Sequence, residues 1–447
     1  MSRVTSLVLL LLVALCCAAA NASAQFIVAP PRPLPRSFLW GVSASAFQSE
    51  GHTTGANWNT YIARDSRPGA ASPKEAYRNS VDFYTRYRSD IGLAAGLGVN
   101  TYRISINWTR VEPRPGVFSA KGLAFYTNVV RAMRAKGIQP LITLNHWDYP
   151  QWVLDQGGWT STRTVDDFAA MTQEVVDRLG TQVHLWLTFN EEFFYEFVEQ
   201  GNNDLNPVQV QQVRANLIAA HDRAYDIIHK GSPGAKVSSN YAWPGNGALA
   251  SFATDPFTNA VAGKLDYLAL DYYYPAYDQA RTLLNISAGT SYNIALDPFG
   301  IYTALRQMHA RYPSKPILIS ENGMPTRNGT RADGVSRSRA LTDTVYWVQR
   351  ARAAGVPVFG YLYWGLTDSY EWGSYTPRFG LYRVDVDKDP SLKRRPTAAV
   401  PVFRAVVRDR GVPSTYRLSL KPKAANCETT AVAAADKATC RAAAARG

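Results

Sequence analysis

Residues 184–191 read His-Leu-Trp-Leu-Thr-Phe-Asn-Glu, a run of strand-forming residues that finishes on the carboxylate of Glu191. A second stretch of this kind, Ile319 to Gly323 (Ile-Ser-Glu-Asn-Gly), brings Glu321 just past another apolar run. Short apolar runs bounded by polar or turn residues are typical of buried strands. Each stretch therefore predicts a strand that ends in a glutamate.

Strand-like segments of this type occur eight times along the chain. They alternate with longer amphipathic stretches, and several of these end at a glycine where a helix would stop before the next strand. Eight strand and helix units predict a closed parallel α/β structure, the (β/α)8 or TIM barrel. The predicted strands are 38–44, 101–106, 140–144, 184–189, 236–243, 265–273, 316–320 and 358–364. The clearest helical stretches are 81–97, 122–136, 165–179, 208–229 and 337–354.

The 447 residues are predicted to form one barrel domain with short tails. Residues 1–24 have a basic residue, a short apolar run and Ala-Ser-Ala before Gln25, as a cleaved secretory signal peptide does. The apolar run is short for a membrane span, so no span is expected after cleavage. We expect a proline-rich lead at 25–37, the (β/α)8 barrel domain at 38–415 and an alanine-rich basic tail at 416–447. The expected location is the secretory pathway, with secretion, the cell wall or the vacuole as destinations.

Two of the four cysteines lie in the predicted leader, which leaves Cys427 and Cys440. An even pair in an oxidising compartment predicts one disulfide, in a tail that is either mobile or pinned by that bond. Metal binding is not expected from two cysteines without a neighbouring histidine. Glycosylation sequons occur at Asn107, Asn285 and Asn328; the first sits at a predicted strand end and is expected to be unmodified, the others lie in loop-like sequence.

The formal net charge is +13, and it stays at +12 once the predicted leader is removed with Arg3. The basic residues are scattered and form no long block of Lys and Arg. This distribution favours a solvated basic surface over nucleic-acid binding.

Polar and aromatic side chains collect at the predicted strand ends, where barrels of this kind build their active sites. A lone glutamate or histidine at a strand end is more often structural, but the agreement of six strand ends favours one shared site. Two carboxylates in one cleft are what cleavage of a glycosidic bond requires. The candidate residues are Gln48, Arg103, His146, Trp147, Asn190, Glu191, Tyr273, Glu321, Trp364, Glu371, Trp372 and Phe379.

From Phe38 to about Gly411 the sequence resembles glycoside hydrolase family 1, the retaining β-glucosidase family. The motifs that carry this resemblance are Phe-Leu-Trp-Gly-Val-Ser-Ala-Ser-Ala-Phe-Gln-Ser-Glu-Gly at 38–51, Tyr-Arg-Ile-Ser-Ile-Asn-Trp at 102–108, Asn-His-Trp-Asp at 145–148, Thr-Phe-Asn-Glu at 188–191, Ser-Glu-Asn-Gly at 320–323, Glu-Trp at 371–372 and Arg-Phe-Gly at 378–380.

The resemblance implies a (β/α)8 barrel in which Glu191 is the acid/base and Glu321 the nucleophile. It also implies that Arg103 and Tyr273 orient the nucleophile and that Trp364 is a platform for the leaving group. No metal or organic cofactor is implied. The residues that it places around the sugar are Gln48, His146, Asn190, Glu371 and Trp372, to which we add Trp147, Tyr273 and Phe379.

The expected activity is that of an exo-acting retaining β-glycosidase, most simply a β-glucosidase, acting on a β-linked glycoside or oligosaccharide. Glu371 can accept hydrogen bonds from sugar hydroxyls but would repel a 6-phosphate, which favours unphosphorylated sugars. Two alternatives remain open: a transglycosidase that uses the same covalent intermediate, and a catalytically silent sugar-binding protein on the same fold.

The chain departs from the family pattern at several places. Glu192 stands where proline is usual and is expected either to raise the pKa of Glu191 or, as alternation along a strand favours, to point away. Asp271 occupies a usual asparagine position, and the stretch 372–378 is one residue short. Only 130 positions separate Glu191 from Glu321, which predicts trimmed loops after strands four to six and a more open cleft.

Overall fold

The structure is a computed structural model that describes residues 32–66, 74–243, 255–275, 279–428, 432 and 434–445. The predicted signal peptide and residues 25–31 of the proline-rich lead lie outside the described residues. Within these ranges, no helix is both long and apolar enough to cross a membrane.

Eight parallel strands close into a barrel in which each strand pairs with the next and the eighth pairs with the first. This arrangement confirms the predicted (β/α)8 fold. The barrel strands are β1 (Leu39–Ser43), β2 (Thr101–Ser105), β3 (Gln139–Asn145), β4 (Leu185–Asn190), β5 (Lys236–Ala242), β6 (Leu268–Asp271), β7 (Ile317–Asn322) and β8 (Val358–Trp364).

Helices connect the strands and cover the outside of the barrel. Side chains cap several of them: the oxygens of Ser119 and Ser336 accept backbone N–H groups of the first turn, and Asn206 forms a capping box ahead of Pro207. The α-helices are Ala46–Ser49, Asn57–Asp65, Phe83–Gly96, Trp108–Val111, Ala120–Ala135, Gln151–Asp155, Arg163–Leu179, Glu192–Asn203, Pro207–Gly231, Asp255–Val261, Gln279–Ser287, Pro298–Arg311, Arg337–Ala353, Ala399–Asp409, Ala424–Cys427 and Lys437–Ala445.

The core has two parts, one between the strands and the helices and a smaller one formed by strand residues together with Tyr267, which directly precedes β6. The smaller cluster is Leu141, Leu185, Leu187, Tyr267, Ala269, Leu318 and Leu362. Gly360 is needed where β8 passes its neighbours, because a Cβ there would lie 2.5 Å from Leu318 Cδ1 and 2.9 Å from Leu39 Cβ. Apolar packing therefore fills this part of the barrel, as in other barrels of this class.

The observed strand bounds differ from the predicted ones at two places that matter for the site. The sixth strand covers Leu268–Asp271 rather than 265–273, so Tyr273 lies beyond it. The seventh runs to Asn322, so Glu321 is part of β7 rather than a residue that follows it. In both cases the apolar run alone did not reveal where ladder pairing stops.

The C-terminal segment is tied to the barrel. A disulfide joins Cys427 to Cys440, with 5.5 Å between the Cα atoms, as predicted. Before it, the backbone N–H groups of Ser419 and Leu420 donate to the carboxylate of Asp343 on helix Arg337–Ala353. Contacts with the barrel helices thus continue past residue 415; the division of the chain into leader, lead, domain and tail stays a prediction.

Candidate active site

The predicted site residues come from the carboxyl ends of the strands and the segments just after them. Strand pairing is irregular there: the register shifts between Leu187 and Asn190 on β4, between Leu270 and Asp271 on β6, and after Ile319 on β7. Such irregularities bend a strand and change the direction of its side chains. The barrel end that carries the two glutamates is therefore the end where the ladder is least regular.

Glu191 is the first residue after β4, and its backbone is left-handed, with φ 42° and ψ 61°. Its N–H donates to the carbonyl oxygen of Asn240 on β5 at 2.8 Å, and helix Glu192–Asn203 begins at the next residue. A non-glycine residue in this conformation costs about 1–3 kcal/mol and is held by its surroundings. Trp147 (φ 71°) and Trp372 (φ 49°) also have positive φ, so three residues of the candidate site have a strained backbone.

Each carboxylate oxygen of Glu321 has its own donor. Arg103, which is fully buried, forms an ion pair with Oε1, and the Tyr273 hydroxyl donates to Oε2 at 2.7 Å. Arg103 Nε donates to Thr143 Oγ1 at 2.8 Å, which fixes the guanidinium against β3. Arg103 and Tyr273 thus contact the predicted nucleophile directly.

The surroundings of the two glutamates differ in charge. Burial raises the pKa of Glu321, but the Arg103 charge and the Tyr273 hydrogen bond oppose that rise. The pKa of Glu191 is raised well above its usual value by burial and then by the negative charges of Asp271 and Glu321. Among the described residues, no side chain donates a hydrogen bond to the Glu191 carboxyl to offset this. The arrangement favours an ionised Glu321 beside a protonated Glu191.

Two asparagines link the strand ends behind the glutamates. Arg103 NH2 donates to Asn190 Oδ1 at 2.6 Å and to Asn240 Oδ1 at 3.3 Å. Because arginine cannot accept a hydrogen bond, these contacts fix the orientation of both amides. Asn240 Nδ2 then donates to Asn190 Oδ1 at 2.8 Å and to Asp271 Oδ2.

Gln48 and Glu371 form a second polar group. Gln48 Nε2 donates to Glu371 Oε2 at 3.0 Å, and its Oε1 accepts from Ser45 Oγ at 2.7 Å. The other carboxylate oxygen of Glu371 accepts from Ser369 Oγ at 2.7 Å. Burial is the largest cause that raises the pKa of Glu371, to about 7. An amide and a carboxyl held in this way can bind neighbouring hydroxyl groups.

Aromatic rings enclose the histidine of this site. The His146 ring stacks on Trp364 (centroids 5.7 Å apart, planes at 11°) and on Trp372 (5.9 Å, 16°). Its Nδ1 has no hydrogen-bond partner among the described residues, and burial, followed by the charge of Arg103, lowers its pKa well below the usual range. Trp364 is only 4% exposed. A ring buried to this extent suits packing beneath the sugar-binding residues better than an exposed surface on which the leaving group could stack.

The two remaining predicted residues lie against this set. Trp147 packs on Trp372 with centroids 4.9 Å apart, and its indole N–H donates to the Asn190 carbonyl at 2.9 Å. Phe379 is buried and meets the Tyr273 ring edge-on at 5.7 Å. Each predicted site residue therefore contacts another predicted site residue or, as Glu191 does through its N–H, the adjoining Asn240.

Of the departures from the family pattern, Glu192 points away from the site, but for a different reason than strand alternation. It is the first residue of helix Glu192–Asn203, and its carboxyl lines a small pocket with Tyr241, Phe257 and Leu268. It makes no hydrogen bond to any described residue, and burial is the largest cause that raises its pKa to about 8. The negative charge of Glu192 still raises the pKa of Glu191, as the smallest of the causes.

Asn240 is the site residue that the sequence reasoning missed. It lies near the end of β5 and contacts Arg103, Asn190 and Asp271 at once. Little in the sequence signalled this role, because Asn240 lies within the predicted strand 236–243 rather than at its end. Residues 244–254 and 276–278, which follow β5 and β6, lie outside the described residues, so the expectation of a more open cleft stays a prediction.

A (β/α)8 barrel with paired carboxyls of unequal pKa and hydroxyl-binding groups around them defines a glycoside hydrolase. Comparison with known proteins agrees: the family model described as glycosyl hydrolase family 1 matches residues 31–251 and 250–412. The chain belongs to glycosyl hydrolase family 1 and is an O-glycoside hydrolase of the β-glucosidase type.

Relatives are similar over most of the chain. The chain is 26% identical to β-glucosidase 25 of Oryza sativa subsp. japonica, over 83% of this chain and 94% of the relative. A β-glycosidase from Pyrococcus horikoshii superposes with a TM-score of 0.73 at 25% identity, over 86% of this chain and 96% of the other. A β-glucosidase from Thermotoga maritima in complex with deoxynojirimycin gives the same score and identity, over 86% and 100%. Within the described ranges, no group of three or more His, Cys, Asp or Glu is placed to hold a metal ion.

Proposed function

We propose that this protein is an exo-acting retaining β-glucosidase in which Glu321 is the nucleophile and Glu191 the general acid and base. One observation carries the proposal: Glu321 is held by a buried arginine and a tyrosine hydroxyl, whereas Glu191 is buried beside two other carboxyl groups. The first environment favours an anion and the second a bound proton.

In the first step, a Glu321 oxygen attacks the anomeric carbon while Glu191 gives its proton to the departing glycosidic oxygen. The bond from that carbon to the leaving group breaks, and an ester to Glu321 forms. Retaining enzymes of this kind need their two carboxyl groups about 5–5.5 Å apart. The Glu321 oxygen that does not react keeps a hydrogen bond from Arg103 or Tyr273, which holds the new ester in place.

In the second step, the charge of Glu321, one of the charges that raised the pKa of Glu191, has disappeared with formation of the ester. The pKa of Glu191 is then lower, and Glu191 is a carboxylate because it has given up its proton. It takes a proton from water as that water attacks the anomeric carbon. The ester bond breaks, Glu321 leaves as a carboxylate, and Glu191 ends protonated. The charge on Glu321 thus acts as the signal that switches Glu191 between acid and base.

The glycone is proposed to be an unphosphorylated, glucose-like sugar. Gln48 and Glu371 offer a donor and an acceptor side by side for neighbouring hydroxyls, and the Glu371 carboxyl would disfavour a phosphate. The Asn190 amide and His146 extend the same polar wall. The proposed exo-action releases one terminal sugar in each cleavage.

The test is hydrolysis of a panel of aryl β-glycosides by the wild type, Glu191→Gln and Glu321→Gln. Glu321→Gln is expected to lose roughly four or more orders of magnitude in kcat/KM, because no ester can form. Glu191→Gln is expected to lose on the order of 10²-fold or more on poor leaving groups and less on good ones, which need little protonation. Glu174→Gln, on helix Arg163–Leu179, is the control and should keep full activity.

Full activity in either glutamate variant would contradict the assigned roles. The alternatives separate in the same assay: a transglycosidase would release the aglycone but transfer the sugar to an added alcohol instead of water, and a sugar-binding protein would hydrolyse none of the panel.

We propose in addition that the protein enters the secretory pathway and is secreted or delivered to the wall or vacuole. The leader sequence and the disulfide support this, because structural disulfides form in oxidising compartments. Expression of the full chain in a secreting eukaryotic host should yield a mature N-terminus at Gln25 by mass spectrometry; an active product that keeps residues 1–24 would contradict it.

The same material tests the predicted glycosylation. Asn328 is exposed and is proposed as an acceptor, as is Asn285 in its partly buried position. Asn107 is fully buried, and its side chain accepts from Arg110 N and donates to Thr53 Oγ1, so it should carry no glycan. Peptide mapping before and after deglycosylation would reveal modification at each asparagine.

A further inference from the structure

Asp271 is a third carboxyl group at the candidate site, and the mechanism above does not use it. It is the last residue of β6 and is 1% exposed. Its ionisable neighbours are Glu321 from β7, Arg103 from β2, Glu191 from the end of β4 and Tyr273 beyond its own strand. The charge of Arg103 can balance one of the three carboxylates, so the other two share a surplus of negative charge.

The hydrogen bonds of Asp271 indicate whether its carboxyl group is ionised. Asn240 Nδ2 faces Asp271 Oδ2, and the amide cannot be turned round, because Arg103 NH2 already contacts Asn240 Oδ1. Asp271 Oδ2 therefore accepts this hydrogen bond, so a proton on Asp271 would be expected on Oδ1 instead. Ser320 Oγ lies 2.7 Å from Asp271 Oδ1 and can donate to it. Two donors favour the anion of Asp271, whereas Glu191 has no such donor among the described residues.

We propose that Asp271 is a positioning residue that acts through Glu191: the two carboxyls titrate as a pair, and Asp271 keeps the catalytic proton on Glu191 to higher pH. This inference rests on the proposed function. Like charges that share a site cannot both ionise easily, so one carboxyl retains its proton far above its ordinary range. Asp271 thereby sets the alkaline limit within which Glu191 can act as an acid.

Electrostatic interactions in the structure support this pairing. After burial, the charge of Asp271 is the largest cause that raises the pKa of Glu191, ahead of the charge of Glu321. Burial and the Glu321 charge also raise the pKa of Asp271, while Arg103, Ser320 and Asn240 oppose that rise. Asp271 reaches the acid/base through a network that already holds its neighbour Asn190. A neutral asparagine at this position would keep the shape of the network and remove the charge.

The test is the pH dependence of kcat/KM for an aryl β-glucoside in the wild type and in Asp271→Asn. We expect the alkaline limb of the variant to move to lower pH by about one unit or more. A purely structural role would reduce kcat or thermal stability and leave the limb in place. Asp297→Asn is the matched control: this carboxyl is also buried enough for burial to raise its pKa, to about 6, yet it lies outside the network, and the limb should not move.

Ser320→Ala is the second variant, which keeps the carboxyl and removes one donor to it. It should disfavour the anion of Asp271 and with it the state in which both carboxyls are ionised, so the alkaline limb should not move to lower pH, in contrast to Asp271→Asn. An unmoved limb in Asp271→Asn, or a limb that moves to lower pH in Ser320→Ala should the first variant fail to fold, overturns the inference. A wild-type protein that hydrolyses no β-glycoside would instead refute the proposed function, so the two failures are distinguishable.

Discussion

Arg103 shows how much of the candidate site depends on one side chain. Its three nitrogens contact Glu321, Asn190, Asn240 and Thr143, so that it neutralises the nucleophile, orients two amides and anchors itself to β3. A buried charge is stable only when it is paired and its donors are satisfied, and both conditions are met here. The ionised state of Glu321 is therefore stabilised by the Arg103 guanidinium, which can only donate hydrogen bonds, and by the hydroxyl of Tyr273.

Tyr273→Phe tests this account at the level of one hydrogen bond. The variant removes the hydroxyl that donates to Glu321 Oε2, so the anion of Glu321 loses stabilisation and its pKa should rise. A hydrogen bond to a charged group contributes about 1.5–3 kcal/mol, which corresponds to about one to two pH units. The acidic limb of the kcat/KM profile should move to higher pH by that amount.

Tyr272→Phe is the matched control, because the hydroxyl of this neighbouring tyrosine donates to the backbone oxygen of Asp297 at 2.7 Å. Its profile should keep the acidic limb of the wild type. An unmoved acidic limb in Tyr273→Phe would show that the hydroxyl does not stabilise the Glu321 anion.

At the scale of elements, helix Glu192–Asn203 places the acid/base and buries carboxyl groups of its own. Glu191 precedes it in a left-handed conformation, and Glu192 and Glu199 are buried along its length. Tyr149 and Asn203 donate hydrogen bonds to Glu199, whereas Glu192 has no such partner among the described residues. The helix therefore carries an uncompensated carboxyl directly beside the catalytic one.

Glu192→Gln is expected to make the protein less sensitive to alkaline pH. Burial raises the pKa of Glu192 from 4.5 to about 8, so the folded state keeps a proton that the unfolded state releases as pH rises between these values. The free energy of unfolding of the wild type should fall across this window, by up to about 5 kcal/mol from this group alone. The variant should show a flatter dependence and greater stability at pH 9.

Thermal or denaturant unfolding at a series of pH values measures this effect, with Glu174→Gln as the control glutamate on another helix. Equal pH dependence of stability in Glu192→Gln and the wild type would show that Glu192 does not hold its proton in the folded state.

The elements could be predicted well from the sequence where a strand is an uninterrupted run of apolar residues, as at β4 and β8. A strand that is buried on both faces has such a run, because none of its side chains meets solvent. The sequence did not predict the left-handed turn at Glu191 or the helix start at Glu192, since Asn-Glu-Glu contains no glycine or proline that would mark either. It missed the role of Asn240 because that role depends on the register between β4, β5 and β6, and register is a property of the closed sheet. The residues that carry the chemistry could be predicted from the sequence, but the contacts between them could not.

At the scale of the whole molecule, the C-terminal segment adds stability without taking part in the site. The disulfide closes a separation of 13 residues, and Asp436 beyond Cys427 forms an ion pair with Arg306 at 2.8 Å. By the loop-entropy model such a bond contributes roughly 3 kcal/mol. We expect Cys427→Ser with Cys440→Ser to lower the thermal midpoint and leave kcat at moderate temperature unchanged. Equal midpoints for the double variant and the oxidised wild type would contradict this.

The central claim for the molecule is that Glu321 forms a covalent bond to the sugar during each turnover. A 2-deoxy-2-fluoro-β-glucoside with a good leaving group tests it directly, because the fluorine destabilises the positive charge in both steps while the leaving group keeps the first step fast enough to occur. Peptide mass spectrometry of the inactivated protein should find the fluoroglucosyl group on Glu321 and on no other residue. Labelling of Glu191 or Asp271 instead, or turnover with no labelled peptide, would contradict the account.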